Sequence, residues 1–285
     1  MPRRPERPAL TPAPLPHPSG TAPQQQHRRR VVAATLVVGS LALLATLAAP
    51  RGSATFTLLG FLAAAVWLVG AAVAFPPGRH QDHPTGGRAD ETTCRGDEPG
   101  APTDPDPTST APTDPDPTDA APAEPDEAYE ADGLRGDHTV LRWVVVAVAV
   151  GVGGLAFLGF LGAAAMARHV AVLDGAVDSV VGKAEAGPTL LVLAIAWANA
   201  VGEEAFFRGA LPLALPVGPG PDRRALVAVG IYVLVTVATL NVALVLAAAV
   251  MGPLFMVERL VGRSTLAPIV THLTWSTLMV LAFPR

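Results

Sequence analysis

Long apolar runs without a charged residue dominate the sequence. Residues 31–49 form one such run of nineteen residues, and residues 225–257 form another of thirty-three. About twenty apolar residues in a helix cross the ~30 Å hydrocarbon core of a bilayer. The composition agrees with this pattern, since 50% of the residues are hydrophobic and only 15% are charged. These features exclude a soluble enzyme and predict an all-α bundle whose helices cross a membrane several times.

The first two apolar runs are predicted to form a transmembrane hairpin, which we assign to residues 31–75. The runs 31–49 and 54–75 are separated only by a short turn at residues 50–53. The basic residues before the first run would also fit a signal peptide. The second run, directly after the turn, favours the hairpin.

Five further crossings bring the predicted total to seven. The run 225–257 is too long for one crossing, so we expect two short helices that turn near residues 239–241. Residues 169–187 combine an apolar helical pattern with four charged side chains, which is typical of a helix at the membrane interface. The other predicted crossings are residues 140–167, 189–215 and 264–283.

Two polar segments interrupt this pattern. Residues 1–30 contain eight prolines, and residues 76–138 contain twelve prolines and sixteen acidic residues. Such compositions bury too little apolar surface to fold, and alternating Asp and Pro favours an extended chain. We therefore predict a disordered N-terminus, a disordered acidic linker that serves as a tether, and a membrane domain at residues 139–285.

The distribution of charge predicts the orientation and the location. Arg28, Arg29 and Arg30 precede the first crossing, so the N-terminus is expected in the cytoplasm. The net charge of −4 sums a basic N-terminus and an acidic linker, and it indicates no nucleic-acid partner. One lysine against nineteen arginines suggests a GC-rich bacterial genome. We expect a multi-pass protein in the lipid bilayer of the plasma membrane.

Four ionisable side chains inside the predicted crossings are candidates for function, namely Glu203, Glu204, Arg208 and His272. Such side chains cost about 2.5–3.5 kcal/mol on insertion scales, so their presence indicates a role. Glu204 and Arg208 are four residues apart and share a helix face, which predicts an ion pair. Glu203 points about 100° away and has no partner on its own helix. His272, taken alone, would also fit a buried histidine that bonds a backbone carbonyl.

Glu203 and His272 are predicted to lie at similar depth in the membrane. With a rise of ~1.5 Å per residue, Glu203 is about 15 Å from the helix end near Ala214, and His272 is about 12 Å from Ser264. A carboxylate and an imidazole that face each other can activate a water molecule and stabilise an oxyanion. The chemistry predicted is hydrolysis of a peptide bond within the membrane.

The sequence around these residues resembles the CPBP family of intramembrane proteases, which includes CAAX proteases and bacteriocin-processing (Abi, Rce1-like) proteins. Residues 203–208, with the sequence EEAFFR, are similar to the EExxxR motif of the family. Residues 264–272, with the sequence STLAPIVTH, are similar to its last motif, in which Ala-Pro precedes an intramembrane histidine. The resemblance covers residues 185–284, about a third of the chain.

The resemblance implies a glutamic-type endopeptidase. Glu203 would be the general base that activates water, with Glu204 and Arg208 as its supporting pair. His272 would donate a hydrogen bond to the oxyanion. The implied substrate is a membrane-associated peptide or protein. One His and two Glu make a weak zinc site, so no metal and no cofactor is predicted.

Two positions depart from the family pattern. Thr236 stands where the FxxxH motif of the family has its histidine, and Ser276 stands where the last motif has an asparagine. A hydroxyl can donate a hydrogen bond but cannot accept and hold a proton at neutral pH. The alternative is therefore a weakened or inactive relative that serves as a membrane binding or adaptor protein. A transporter that uses Glu203 as a proton carrier is disfavoured, because no inverted repeat is found. The oligomeric state cannot be read from the sequence.

Overall fold

The computed structural model describes residues 15, 21–75, 126–185, 187–216 and 223–282. All regular secondary structure in these ranges is helical, which confirms the predicted all-α class for this part of the chain. The helices are α1 (Ala22–Ala48), α2 (Ala54–Ala74), α3 (Asp126–Ala167), α4 (Ala171–Glu185), α5 (Thr189–Ala214), α6 (Arg223–Val237), α7 (Val242–Gly262) and α8 (Leu266–Ala282).

Five of these helices are long and apolar enough to cross a membrane. They are α1, α2, α3 from Val140 onwards, α5 and α7, and α8 is a shorter apolar helix. Large apolar side chains such as Leu58, Leu155 and Leu234 are exposed on the outside of the helices, where lipid would cover them. The chain is a helical, multi-pass membrane protein. The total of seven crossings, which also requires the fifteen-residue α6, remains a prediction.

Two segments that we expected to be disordered are partly helical. Residues 22–30 are the first turns of α1, because Gln24 accepts a hydrogen bond from the Thr21 N–H at 3.0 Å and caps the helix. Residues 126–138 begin α3, since Pro125 is the last proline of the linker and good helix formers follow it. Most of the two segments, including the acidic Pro-rich repeats, lies outside the described residues.

Helices α1 and α2 pack against each other as a hairpin. The turn at residues 49–53 contains Gly52 with a φ of 68°, and Ser53 begins α2 by accepting a hydrogen bond from the Phe56 N–H at 3.1 Å. Trp67 of α2 is fully buried against Gly39 of α1, where a Cβ would overlap its ring. Close approach at small residues is the usual way in which helices pack in a membrane.

The predicted turn between α6 and α7 is also confirmed, at residues 238–241. Asn241 begins α7 by accepting a hydrogen bond from the Leu244 N–H at 3.0 Å. Its amide nitrogen donates to the carbonyl of Ala176 at 2.9 Å and to the hydroxyl of Ser179 at 2.7 Å, both on α4. Asn241 therefore fastens α4, the predicted interfacial helix, to this end of the bundle.

Helix α5 packs against α2 and α8, and it carries the two adjacent glutamates. Gly202 lies so close to α2 that a Cβ there would stand 2.9 Å from the carbonyl oxygen of Ala64. On the α2 side, Trp67 contacts the rings of Phe206 and Phe207 at centroid distances of 5.2 and 4.9 Å. These contacts hold the segment 203–208 at the centre of the bundle.

Candidate active site

The segment that resembles the EExxxR motif lies in a π-helical stretch of α5. Residues Glu204–Ala210 form this wider turn, which is uncommon and is often found at functional sites. Pro212 follows it and has no N–H to offer to the carbonyl of Arg208 four residues earlier. Nε of Arg259 on α7 donates to that carbonyl at 3.3 Å instead. Pro212 therefore favours the wider turn, and Arg259 of the neighbouring helix bonds the carbonyl that Pro212 leaves without an N–H partner.

The predicted ion pair between Glu204 and Arg208 is present and fully buried. Nη1 of Arg208 donates to Oε1 of Glu204 at 3.1 Å, and the two side chains are 1% and 0% exposed. Nδ1 of His272 lies 3.0 Å from the same carboxylate oxygen. Glu204 is thus the shared partner of a guanidinium and an imidazole, and it joins α5 to α8.

Arg208 is held on several sides. Nη2 donates to the carbonyl of Gly252 at 3.3 Å, and the guanidinium lies over the rings of Tyr232 at 4.3 Å and Phe255 at 5.0 Å. Cation–π contacts of this kind strengthen where water is excluded. The Phe255 ring in turn stacks on His272, with centroids 4.9 Å apart. Phe255 therefore packs against both the guanidinium and the imidazole that contact Glu204.

Glu203 takes no part in this ion pair, as its position on the helix predicted. Its Oε2 accepts a hydrogen bond from the hydroxyl of Tyr232 on α6 at 3.1 Å. The side chain is half-buried, whereas Glu204 is fully buried. The two adjacent glutamates thus have different surroundings, and Glu203 is the more accessible one.

A cavity of about 150 Å³ lies beside Glu203. Its polar lining residues are Glu203, Tyr232, Thr236, Thr239 and His272, and the other described lining residues are apolar or aromatic. An engineered cavity of about this volume in another protein holds one benzene molecule. The space is therefore large enough for a water molecule and a few atoms of a bound peptide. Glu203 and His272 line the same cavity, although the hydrogen bond of His272 is to Glu204.

Thr236 lies at the cavity, but its hydroxyl is already used. Oγ1 donates to the carbonyl of Tyr232 at 2.9 Å, within the same helix. A hydroxyl has one hydrogen to donate, so in this conformation Thr236 offers only acceptor capacity to the cavity. Ser276 is buried one turn after His272 and does not belong to the described cavity lining.

Tyr232, Phe255 and Trp67 also belong to the site, although no role was predicted for them from the sequence. Tyr232 precedes Thr236 by four residues and therefore shares its helix face. A phenol within an otherwise apolar run was a usable signal. Phe255 and Trp67 gave no such signal, because a buried aromatic residue is the ordinary content of a core.

Glu203 and His272 offer different polar groups at the cavity. His272 bonds Glu204 through Nδ1, so its other ring nitrogen, Nε2, has no hydrogen bond to another described residue. Glu203 keeps Oε1 as an acceptor, since its Oε2 is bonded to Tyr232. This arrangement supplies one base and one hydrogen-bond donor around a space that can hold a reacting atom.

Metal-ion binding finds no support in the arrangement of the described acidic and histidine side chains. Within the described ranges, no group of three or more such side chains is close enough to hold an ion. The absence of a metal from the working protein remains a prediction.

The comparison with protein families agrees with the motifs. Residues 185–278 match the family model described as type II CAAX prenyl endopeptidase Rce1-like. No curated protein and no solved structure matches the chain. The matched residues cover about a third of the sequence and contain Glu203, Glu204, Arg208 and His272. The family indicates a protease. Over residues 185–278, this multi-pass membrane protein is therefore similar to the Rce1-like type II CAAX prenyl endopeptidases.

Proposed function

We propose that the protein is an intramembrane endopeptidase in which the carboxylate of Glu203 activates a water molecule. The observation that carries this proposal is that Glu203 and His272 line one cavity next to a buried ion pair. Glu203 is the only carboxylate among the described residues that line this cavity. General-base catalysis by such a group contributes typically ~10²–10⁴-fold to a rate.

The proposed reaction uses only groups of this chain. Glu203 takes a proton from water, and the water oxygen attacks the carbonyl carbon of the peptide. The carbonyl oxygen becomes an oxyanion that accepts a hydrogen bond from Nε2–H of His272. The C–N bond then breaks, and Glu203 passes its proton to the departing nitrogen. The products are a new carboxyl end and a new amino end.

Glu204 and Arg208 support this reaction without touching the substrate. Glu204 accepts a hydrogen bond from Nδ1 of His272, which leaves Nε2 of His272 for the cavity. Arg208 compensates the charge of Glu204, so that the pair is neutral. A buried carboxylate without such a partner would be costly.

The substrate that fits this site is a membrane-associated peptide or protein whose scissile bond can enter the cavity. We propose a location in the plasma membrane with the N-terminus in the cytoplasm, on the basis of Arg28, Arg29 and Arg30. Arg28 lies over the ring of Phe75, so the basic start of α1 and the end of α2 lie at the same end of the hairpin.

A comparison of peptide ends tests the proposed function and requires no assumption about the identity of the substrate. Membrane and secreted fractions are prepared from cells that carry the wild-type protein, Glu203→Gln or no protein, and all new termini are identified by mass spectrometry. Glu258→Gln serves as the matched control, because Glu258 bonds Thr271 and lies outside the cavity lining.

The proposal predicts termini that occur with the wild type and with Glu258→Gln but not with Glu203→Gln. Equal profiles in all cells, at equal expression, would overturn it. The non-catalytic alternative, a membrane binding or adaptor protein, would then be the hypothesis to pursue.

A further inference from the structure

We propose that Tyr232 is the positioning residue that holds Glu203 ready to activate water. This inference rests on the proposed function and deepens it. The FxxxH motif of the family has a histidine, but this chain has none between Arg208 and His272. We assign the place next to the general base to the phenol of Tyr232 instead.

The first argument is the direct contact. The hydroxyl of Tyr232 donates to Oε2 of Glu203 at 3.1 Å. No other side-chain hydrogen bond of Glu203 is found among the described residues. One carboxylate oxygen is thus fixed by the phenol, and Oε1 is left for a water molecule in the cavity that both residues line. A carboxylate with one fixed oxygen presents the other in a defined direction.

The second argument is that the Tyr232 ring is itself fixed. Phe207 meets it edge-on with centroids 4.9 Å apart, and the Arg208 guanidinium lies over its face at 4.3 Å. Gly252 packs against another side of the Tyr232 ring, so closely that a Cβ on Gly252 would lie 3.2 Å from Cδ1 of Tyr232. A side chain clamped in this way loses little further freedom when it orients Glu203.

The third argument is the position of Arg208. The Arg208 guanidinium forms an ion pair with Glu204 and also lies over the face of the Tyr232 ring. A cation beside a phenol draws electron density from the ring and makes the O–H a stronger donor. Tyr232 therefore links the buried ion pair to Glu203 through one side chain.

Thr236, which occupies the histidine position of the motif, does not compete for this role. Its hydroxyl hydrogen is directed to the carbonyl of Tyr232 at 2.9 Å. Thr236 does line the cavity, so a histidine introduced there would reach the same space. This relation gives a rescue experiment.

The experiment measures kcat and KM of purified protein on the peptide that the comparison of termini identifies. We compare the wild type, Glu203→Gln, Tyr232→Phe, Thr236→Val and the double variant Tyr232→Phe/Thr236→His. Tyr232→Phe keeps the ring and its packing, and thermal unfolding in detergent checks that each variant is folded.

The expected result is a loss of about 10- to 100-fold in kcat for Tyr232→Phe with KM unchanged, because a hydrogen bond to a charged group is lost. Thr236→Val should lose less activity than Tyr232→Phe, since the hydroxyl hydrogen of Thr236 is directed to a carbonyl of α6 and not to Glu203. The double variant should regain at least tenfold over Tyr232→Phe, since an imidazole at position 236 reaches the same cavity and can form a hydrogen bond with Glu203.

The outcomes separate this inference from the function on which it rests. A wild type without cleavage, or undiminished cleavage by Glu203→Gln, overturns the proposed function and the role of Tyr232 with it. Cleavage that needs Glu203 but is unaffected in a folded Tyr232→Phe variant overturns the role of Tyr232 alone. A loss in Thr236→Val as large as in Tyr232→Phe does the same. A Tyr232→Phe variant that fails to fold while the double variant folds without activity also contradicts it.

Discussion

His272 of α8 and Glu204 of α5 meet through Nδ1 and Oε1 at a distance of 3.0 Å, although the two residues are 68 positions apart in sequence. The same oxygen accepts from Nη1 of Arg208 at 3.1 Å. One carboxylate therefore fixes both the guanidinium of its own helix and the imidazole of α8. This arrangement gives the two glutamates different tasks, with Glu204 as structural centre and Glu203 at the cavity.

Removal of Arg208 should destabilise the protein strongly. Arg208→Met leaves the fully buried Glu204 without its guanidinium partner, which typically costs ~3–5 kcal/mol in the free energy of unfolding. The double variant Arg208→Met/Glu204→Gln removes the buried charge as well and should recover part of this loss. Thermal unfolding in detergent measures both. A double variant that is no more stable than Arg208→Met would show that the uncompensated charge is not the cause.

Replacement of His272 should lower the rate more than the affinity. His272→Gln keeps a polar side chain but removes the imidazole N–H donor, and the loss of one oxyanion donor typically costs ~10²–10³-fold in kcat. Binding of the peptide should change little, because the donor acts on charge that develops during the reaction. Steady-state kinetics on the identified peptide gives both constants. A rise in KM with unchanged kcat would assign His272 to binding instead.

Much of the fold was predictable because a membrane-spanning helix requires about twenty apolar residues, and such long runs are visible in the sequence. The hairpin of α1 and α2 and the turn before Asn241 were both expected at the residues where they occur. The starts of α1 and α3 were not, since capping by Gln24 and the end of the Pro-rich linker are local effects that composition does not resolve.

The ion pair of the site could be predicted from the sequence, but the contacts between side chains of different helices could not. The Glu204–Arg208 pair follows from a spacing of four residues on one helix. The bond between Tyr232 and Glu203 joins different helices, and it depends on the close approach that Gly252 permits. No spacing rule relates such residues, so only the packed structure reveals the contact.

The hairpin outside the family match should be necessary for stability. Gly39→Ala places a methyl group against the fully buried ring of Trp67, which cannot move aside without disturbing Phe206 and Phe207. Overpacking of this kind typically costs ~1–3 kcal/mol. The matched control is Gly154→Ala on α3, where no atom lies within 4 Å of the new Cβ and a neutral or stabilising effect is expected. Equal unfolding temperatures for the two variants would contradict the packing described.

Asn241 should contribute to stability in two separable ways. Asn241→Asp keeps the oxygen that caps α7 but loses the donor to Ala176 and Ser179, whereas Asn241→Ala loses both. A lost cap typically costs ~1 kcal/mol. We therefore expect the order wild type, Asn241→Asp, Asn241→Ala in unfolding temperature. An alanine variant as stable as the aspartate variant would show that the cap is without effect.

The most direct measurement on the proposed chemistry separates peptide binding from peptide cleavage at Glu203. Purified wild type and Glu203→Gln are mixed in excess over a fluorescent form of the identified peptide, and anisotropy gives Kd while single-turnover cleavage gives the rate. We predict an unchanged Kd and a rate lower by ~10²–10⁴-fold in Glu203→Gln, as expected for loss of a general base. A Glu203→Gln protein that binds and cleaves within a few-fold of the wild type would contradict the assignment of Glu203 as the group that activates water.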